Sequence, residues 1–164
     1  MEFVSKTIRR KDRIMDDGDA LRLLREATFG VLSIPSEDGA YGVPITYALD
    51  GGSKLYFHCA HKGRKLDLLA KKNQVSFCIV GKTKVLYELA SMAYESLILE
   101  GTLETELSDE EKWHGLAVLI NRFSDESQPG TKFIDERMFN RVKVMRMDVA
   151  VISGKCRREP EPSA

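Results

Sequence analysis

Between Thr28 and Ile79 the chain reads as four strand-like segments with a single helix-like segment among them, an order that points away from a doubly wound sheet. β-Branched and aromatic residues predict a strand from Thr28 to Ile34. Pro35-Ser36-Glu37-Asp38-Gly39 then predicts a hairpin turn into a second strand, Ala40 to Leu49. Asp50-Gly51-Gly52-Ser53 turns into a third, Lys54 to Cys59, and Val75, Phe77 and Ile79 alternate along a fourth. A long fifth strand is expected within Met92–Leu107, with Gly101 at a bulge or close approach, and a last one over Val142–Ile152. The segment Val85–Ala90 stays open between helix and strand.

Helices are predicted around these strands. Asp16 or Asp17 can cap a first helix whose Ala20, Leu23, Leu24 and Ala27 share one stripe. A second, Gly63 to Lys72, turns Leu66, Leu69 and Ala70 inward. Ser108-Asp109-Glu110-Glu111 has the spacing of a capping box, and Trp113, Leu116, Ala117 and Ile120 recur at helical spacing behind it, with Trp113 expected as a core anchor. Asp125–Thr131 reads as a loop and Phe133–Asn140 as a short helix. The sum is a mainly β fold with peripheral helices, an antiparallel barrel.

A length of 164 residues suits one domain, expected over residues 16–153. Residues 1–15, centred on Arg9-Arg10-Lys11-Asp12-Arg13, read as a solvated polar arm, and the Pro- and Glu-containing tail 154–164 as disordered. The 25 basic and 25 acidic side chains balance, so no global field argues for nucleic acid or an anionic membrane. Three cysteines without a C-x-x-C pair, and a start lacking a secretory apolar run, predict a reduced, cytoplasmic protein. No apolar stretch approaches the roughly 18 residues of a membrane helix.

The chemistry concentrates where Leu55-Tyr56-Phe57-His58-Cys59-Ala60 runs through His61-Lys62 into Gly63-Arg64-Lys65. A strand passing into a helix start aims free amides and a helix dipole at one place, two cations stand on the same turn, and Gly63 has no Cβ to hold a ligand off. A mononucleotide or sugar-phosphate ester fits that spacing, which matches neither a triphosphate loop nor a dinucleotide fingerprint. The competing reading is a solvated helix start. On the second strand Gly42, Pro44, Thr46 and Ala48 make one small, polar face with room for something flat, and Pro44 puts that strand at an edge or bulge. His58, Cys59, His61 and Cys78 do not make a metal site, because His58 and Cys59 point to opposite strand faces.

Taken in order, Arg9–Arg13, Gly42-Val43-Pro44-Ile45-Thr46-Tyr47, Leu55–Ala60 with Gly63-Arg64-Lys65, and Tyr94-Glu95-Ser96-Leu97-Ile98-Leu99-Glu100-Gly101 resemble the nitroimidazole-resistance (Nim) proteins. That group sits in the pyridoxamine 5′-phosphate oxidase-like, FMN-binding split-barrel superfamily, and the similarity runs from about Arg9 to Ile152. The resemblance implies an antiparallel split β-barrel and a homodimer with two FMN sites at its interface. It places Val43, Pro44, Ile45, Thr46 and Tyr47 along the flavin ring, Phe57 and His58 beside it, Gly63, Arg64 and Lys65 on the phosphate, and Ser96 as a further polar contact. The end of the chain, Cys156–Ala164, does not match the substrate-closing segment of the vitamin B6 oxidases.

The resemblance implies an FMN-dependent reductase of a small electron-poor substrate of the nitroaromatic or nitroimidazole type, with His58 as a candidate proton donor and NAD(P)H as one candidate electron source. A protein that only holds FMN or haem is the rival reading, and pyridoxamine phosphate oxidation the third.

Overall fold

In the computed structural model, which describes residues 1–6, 8–124 and 135–160, eight strands join in one sheet of order β3-β2-β6-β7-β8-β5-β4. The strands are β1 (Glu2–Phe3), β2 (Phe29–Ser36), β3 (Gly39–Thr46), β4 (Ala48–Asp50), β5 (Lys54–Cys59), β6 (Gln74–Leu86), β7 (Ser91–Glu104) and β8 (Lys143–Arg157). Helices α1 (Asp17–Glu26), α2 (Arg64–Leu69), α3 (Asp109–Phe123) and α4 (Glu136–Arg141) lie outside the sheet order. Every pairing along that order is antiparallel, and β1 alone runs parallel, against β8. Only Tyr47 separates β3 from β4, so the two ends of the sheet are consecutive in the chain and the sheet curls into a split barrel.

Alternation dictates the core. Leu32 and Ile34 of β2, Leu55 and Phe57 of β5, Phe77 and Ile79 of β6 and Leu97 and Leu99 of β7 all point inward and are fully buried. Phe77 takes the edges of Tyr47 and Phe57 at centroid distances of 5.2 and 5.3 Å. A smaller cluster forms on the outside, where α3 lays Leu116 and Leu119 on Ala48, Tyr56 and Val144. Gly115 permits that approach, since a Cβ there would stand 2.6 Å from the Tyr56 ring.

The predicted caps are present: Asp16 accepts the Gly18 amide and Ser108 accepts the Glu111 amide. The bulge at Gly101 is present as well, where the β7–β8 register shifts and a Cβ would sit 2.1 Å from the Asp148 carbonyl oxygen. Several expectations need correction. Residues 1–15 are no free arm: β1 pairs with Val151 and Ile152, Met15 donates its amide to Gly154, and Ile8 and Met15 are buried. The apolar residues scattered among the cations anchor the segment, which a reading of its average composition conceals. The domain does not stop at 153 either, because β8 runs to Arg157 with Gly154 against Met15 and Cys156 turned toward the core. Residues 161–164 lie outside the described residues.

Smaller differences follow from the same forces. Val85 and Leu86 belong to β6, which a 3₁₀ turn at Tyr87–Leu89 and a left-handed Ala90 connect to β7. The predicted loop Asp125–Thr131 lies outside the described residues, and α4 begins at Glu136. Trp113 is no core anchor: the buried face of α3 is Gly115, Leu116 and Leu119, which leaves Trp113 on the rim.

Candidate functional site

β5 ends at Cys59 and the chain reaches α2 through Gly63, whose φ of 141° belongs to the region that favours glycine. No atom stands within 4 Å of where its Cβ would be, so the backbone is open to a ligand there. The amides of Leu66 and Asp67 close the first turn on the Gly63 carbonyl, at 2.9 and 3.2 Å, leaving those of Arg64 and Lys65 ahead of it. α2 has six residues, far shorter than the Gly63–Lys72 helix expected, so its dipole adds little. What charge the turn offers comes from its side chains. Arg64 turns back over the Tyr41 ring of β3, 4.5 Å from its centroid.

Lys65 turns the other way, into a cavity of about 640 Å³. His58, Cys59, Ala60 and Lys65 line one side of it, and Asp135, Arg137, Met138, Arg141 and Val142 line the other. α4 is capped by its own Asp135 and held there by contacts with α3 and with His61. The Asp135 carboxylate accepts the Met138 amide at 2.7 Å, Phe139 stacks on Trp113 with centroids 4.5 Å apart, and His61 Nε2 donates to the Asn140 carbonyl at 2.9 Å. Partial burial, and then the Lys65 ammonium, hold the His58 imidazole below its ordinary pKa of 6.5, so it is neutral at pH 7. Burial pushes the Cys59 thiol up, away from the reactive thiolate.

Of the residues singled out in the sequence, the cavity brings together His58 and Lys65. Pro44 and Thr46 are exposed on β3, which pairs only with β2, so the expectation of an edge strand at Pro44 holds. Val43 is half-buried, while Ile45 and Tyr47 face the core, and the Tyr47 hydroxyl donates to the Leu24 carbonyl at 2.6 Å. Phe57 is also fully buried, so its side chain is not available to border a ring, as the alternation of β5 requires.

Ser96 lies elsewhere altogether. It pairs with Lys155, whereas His58 pairs with Val144, eleven residues away along β8 and roughly 35 Å at strand rise. Within one chain Ser96 cannot reach this cavity. The α4 wall is what the sequence reading missed: Arg137-Met138 and Arg141-Val142 repeat a cation–apolar pair at i, i+4, but nothing in the sequence ties that repeat to β5. Among the described residues no group of three or more His, Cys, Asp and Glu is placed to hold a metal ion, all three cysteines are free, and no helix is long and apolar enough to cross a membrane.

The curled sheet, its open β3 edge and the cavity at the β5–α2 turn define a split β-barrel protein. The family model described as pyridoxamine 5′-phosphate oxidase matches residues 16–156, and the chain belongs to that family. Among solved structures, a candidate 5-nitroimidazole antibiotic resistance protein from Bacteroides thetaiotaomicron is 23% identical, with 87% of this chain and 85% of that one covered at a TM-score of 0.73. A flavocytochrome from Azotobacter vinelandii is 14% identical, covering 100% and 79% at 0.75. An FAD- and haem-binding protein from Mycobacterium smegmatis is 18% identical, covering 91% and 75% at 0.73. At these identities the likeness is one of fold. No curated protein sequence matches the chain.

Proposed function

We propose that this chain binds FMN and acts as a flavin-dependent reductase of small electron-poor molecules of the nitroaromatic type. The observation that carries the reading is the cavity at the β5–α2 turn, where Lys65 and His58 meet, with an unobstructed Gly63 two residues before Lys65 in the chain. The donor set fits a flavin phosphate ester: a glycine that admits close approach, two amides ahead of the first helical bond, and a lysine in the cavity. Gly63, Arg64 and Lys65 would hold the phosphate, and Pro44, Thr46 and His58 would border the ring. FMN, when bound, supplies the electron transfer. The chain's own residues orient the partners and exclude water, and His58, neutral at pH 7, donates a proton to a reduced product once its imidazole is charged at lower pH.

The split-barrel neighbours that carry FAD or haem support a bound redox cofactor in this architecture. A homodimer belongs to the same reading. On the outer sheet face the register aligns Pro44, Val31, Cys78 and Ile98 in one row, beside which Phe29 and Val80 stand 57% and 61% exposed. A second copy covering that face would also place its own Ser96, which pairs with Val80, at the seam.

The test is a visible spectrum of the purified protein, with chromatography of the released chromophore, followed by NADH or NADPH and a nitroaromatic acceptor. Flavin bands, FMN in the extract and reoxidation by the acceptor are expected. A protein that takes up no flavin, or whose reduced flavin ignores the acceptor, defeats the binding and the catalytic halves respectively.

A further inference from the structure

The wall of the cavity opposite His58 and Lys65 has a chemistry of its own. Arg137 and Arg141 are spaced i, i+4 on α4 and both line the cavity, and Met138 and Val142, one residue on in each case, line it beside them. The wall therefore presents a cationic stripe alongside an apolar one. Like charges at that spacing disfavour a helix, so the stability of α4 does not call for them. Among the described residues neither arginine makes an ion pair, and the one acidic residue of the cavity, Asp135, is engaged in capping α4. The wall is nevertheless fixed in place, by the Phe139–Trp113 stack and the His61–Asn140 bond.

A bare phosphate needs no apolar stripe, and a neutral aromatic needs no pair of arginines. A small organic anion, with a flat or aliphatic body and a carboxylate, uses both. We propose that Arg137 and Arg141 form the specificity subsite of the second substrate and select an anionic electron acceptor over its neutral isostere. The proposal rests on reading the cavity as a flavin reductase site, and it assigns the cofactor phosphate to the Gly63–Lys65 side and the acceptor's carboxylate to the α4 side. Planar bidentate donors suit a carboxylate, so lysine is not equivalent to arginine here.

The experiment titrates the full-length protein, as purified and again after FMN is added, with 4-nitrobenzoate and with neutral 4-nitrobenzamide. Binding is read by calorimetry and by the fluorescence of Trp113, the single tryptophan, which stacks on α4. The benzoate is expected to bind about ten- to a hundredfold more tightly than the amide, as for a charge-assisted contact. In the Arg137→Gln/Arg141→Gln double variant that preference should vanish while FMN affinity stays within about twofold of the parent. An Arg137→Lys/Arg141→Lys variant, which keeps the charge and guards against misfolding of α4, should retain part of the preference.

Equal binding of the two probes by the parent overturns the proposal, and so does a glutamine variant that loses FMN, because the arginines would then serve the cofactor. A parent that takes up no FMN defeats the flavin reading alone. The titration of flavin-free protein still decides whether α4 selects anions.

Discussion

At the scale of single residues, His58 and Lys65 carry the sharpest expectations because one cavity holds both. Removing the Lys65 ammonium by Lys65→Ala takes away a charge-assisted contact worth about 1.5–3 kcal/mol, so FMN should bind about ten- to a hundredfold more weakly. Fluorescence titration with FMN checks this, and an unchanged affinity would leave Lys65 a solvated cation. His58→Ala should keep FMN and slow acceptor reduction by about 10²–10⁴, the range of a positioned acid. The pH profile has a definite sign. Burial and Lys65 lower the imidazole pKa below 6.5, so the protonated donor forms only as pH falls through that lowered value, and parent turnover should climb there while the variant stays flat. Stability moves the opposite way. The unfolded chain takes the proton first, so the native state loses ground as pH drops from 6.5 toward the folded pKa, and thermal melts across that window should show it.

Among the elements, α3 and the β7–β8 pair at Gly101 each depend on contacts that one substitution can remove or block. The Tyr56 hydroxyl donates to Glu111, which also takes Arg146 at 3.1 Å, and Arg146 in turn holds Asp148 at 2.8 Å, so one chain of contacts pins α3 to β5 and β8. Tyr56 and Arg146 hold the Glu111 carboxyl below its ordinary 4.5. A depressed carboxylate stabilises above its ordinary pKa and is lost as pH falls through the folded one, so acid should loosen α3, and Tyr56→Phe should move that transition toward neutral pH. Gly101→Ala would force a Cβ to 2.1 Å from a backbone oxygen and should cost at least about 1–3 kcal/mol, read as a lower melting temperature. Both helix caps and this bulge were legible because each is a local pattern of a few adjacent residues. The inward course of Gly154–Cys156, the break at Tyr47 and the seat of α4 were not, since partners distant in sequence decide them: Met15 for Gly154, Leu24 for Tyr47, Trp113 for Phe139.

For the molecule as a whole, the proposed homodimer assigns the outer face of β2, β3, β6 and β7 to the contact between copies. Val80→Arg together with Ile98→Arg places two charges among Phe29, Pro44 and Cys78 and should halve the mass seen by light scattering, with FMN lost alongside the dimer. A monomer that keeps its flavin would separate the cofactor site from the seam. β8 has another consequence, in time rather than in space. It fills the place between β7 and β5 and also receives β1, so strands from the start and the middle of the chain wait on residues 143–157. Until those residues leave the ribosome, β5 and β7 each stand with a bare edge, and Glu2 and Phe3 have nothing to pair with. Such long-range closure makes for slow folding with exposed strand edges. A chain stopped at Val142 should therefore come out of the cell as aggregate, whatever the health of the cavity it was meant to frame.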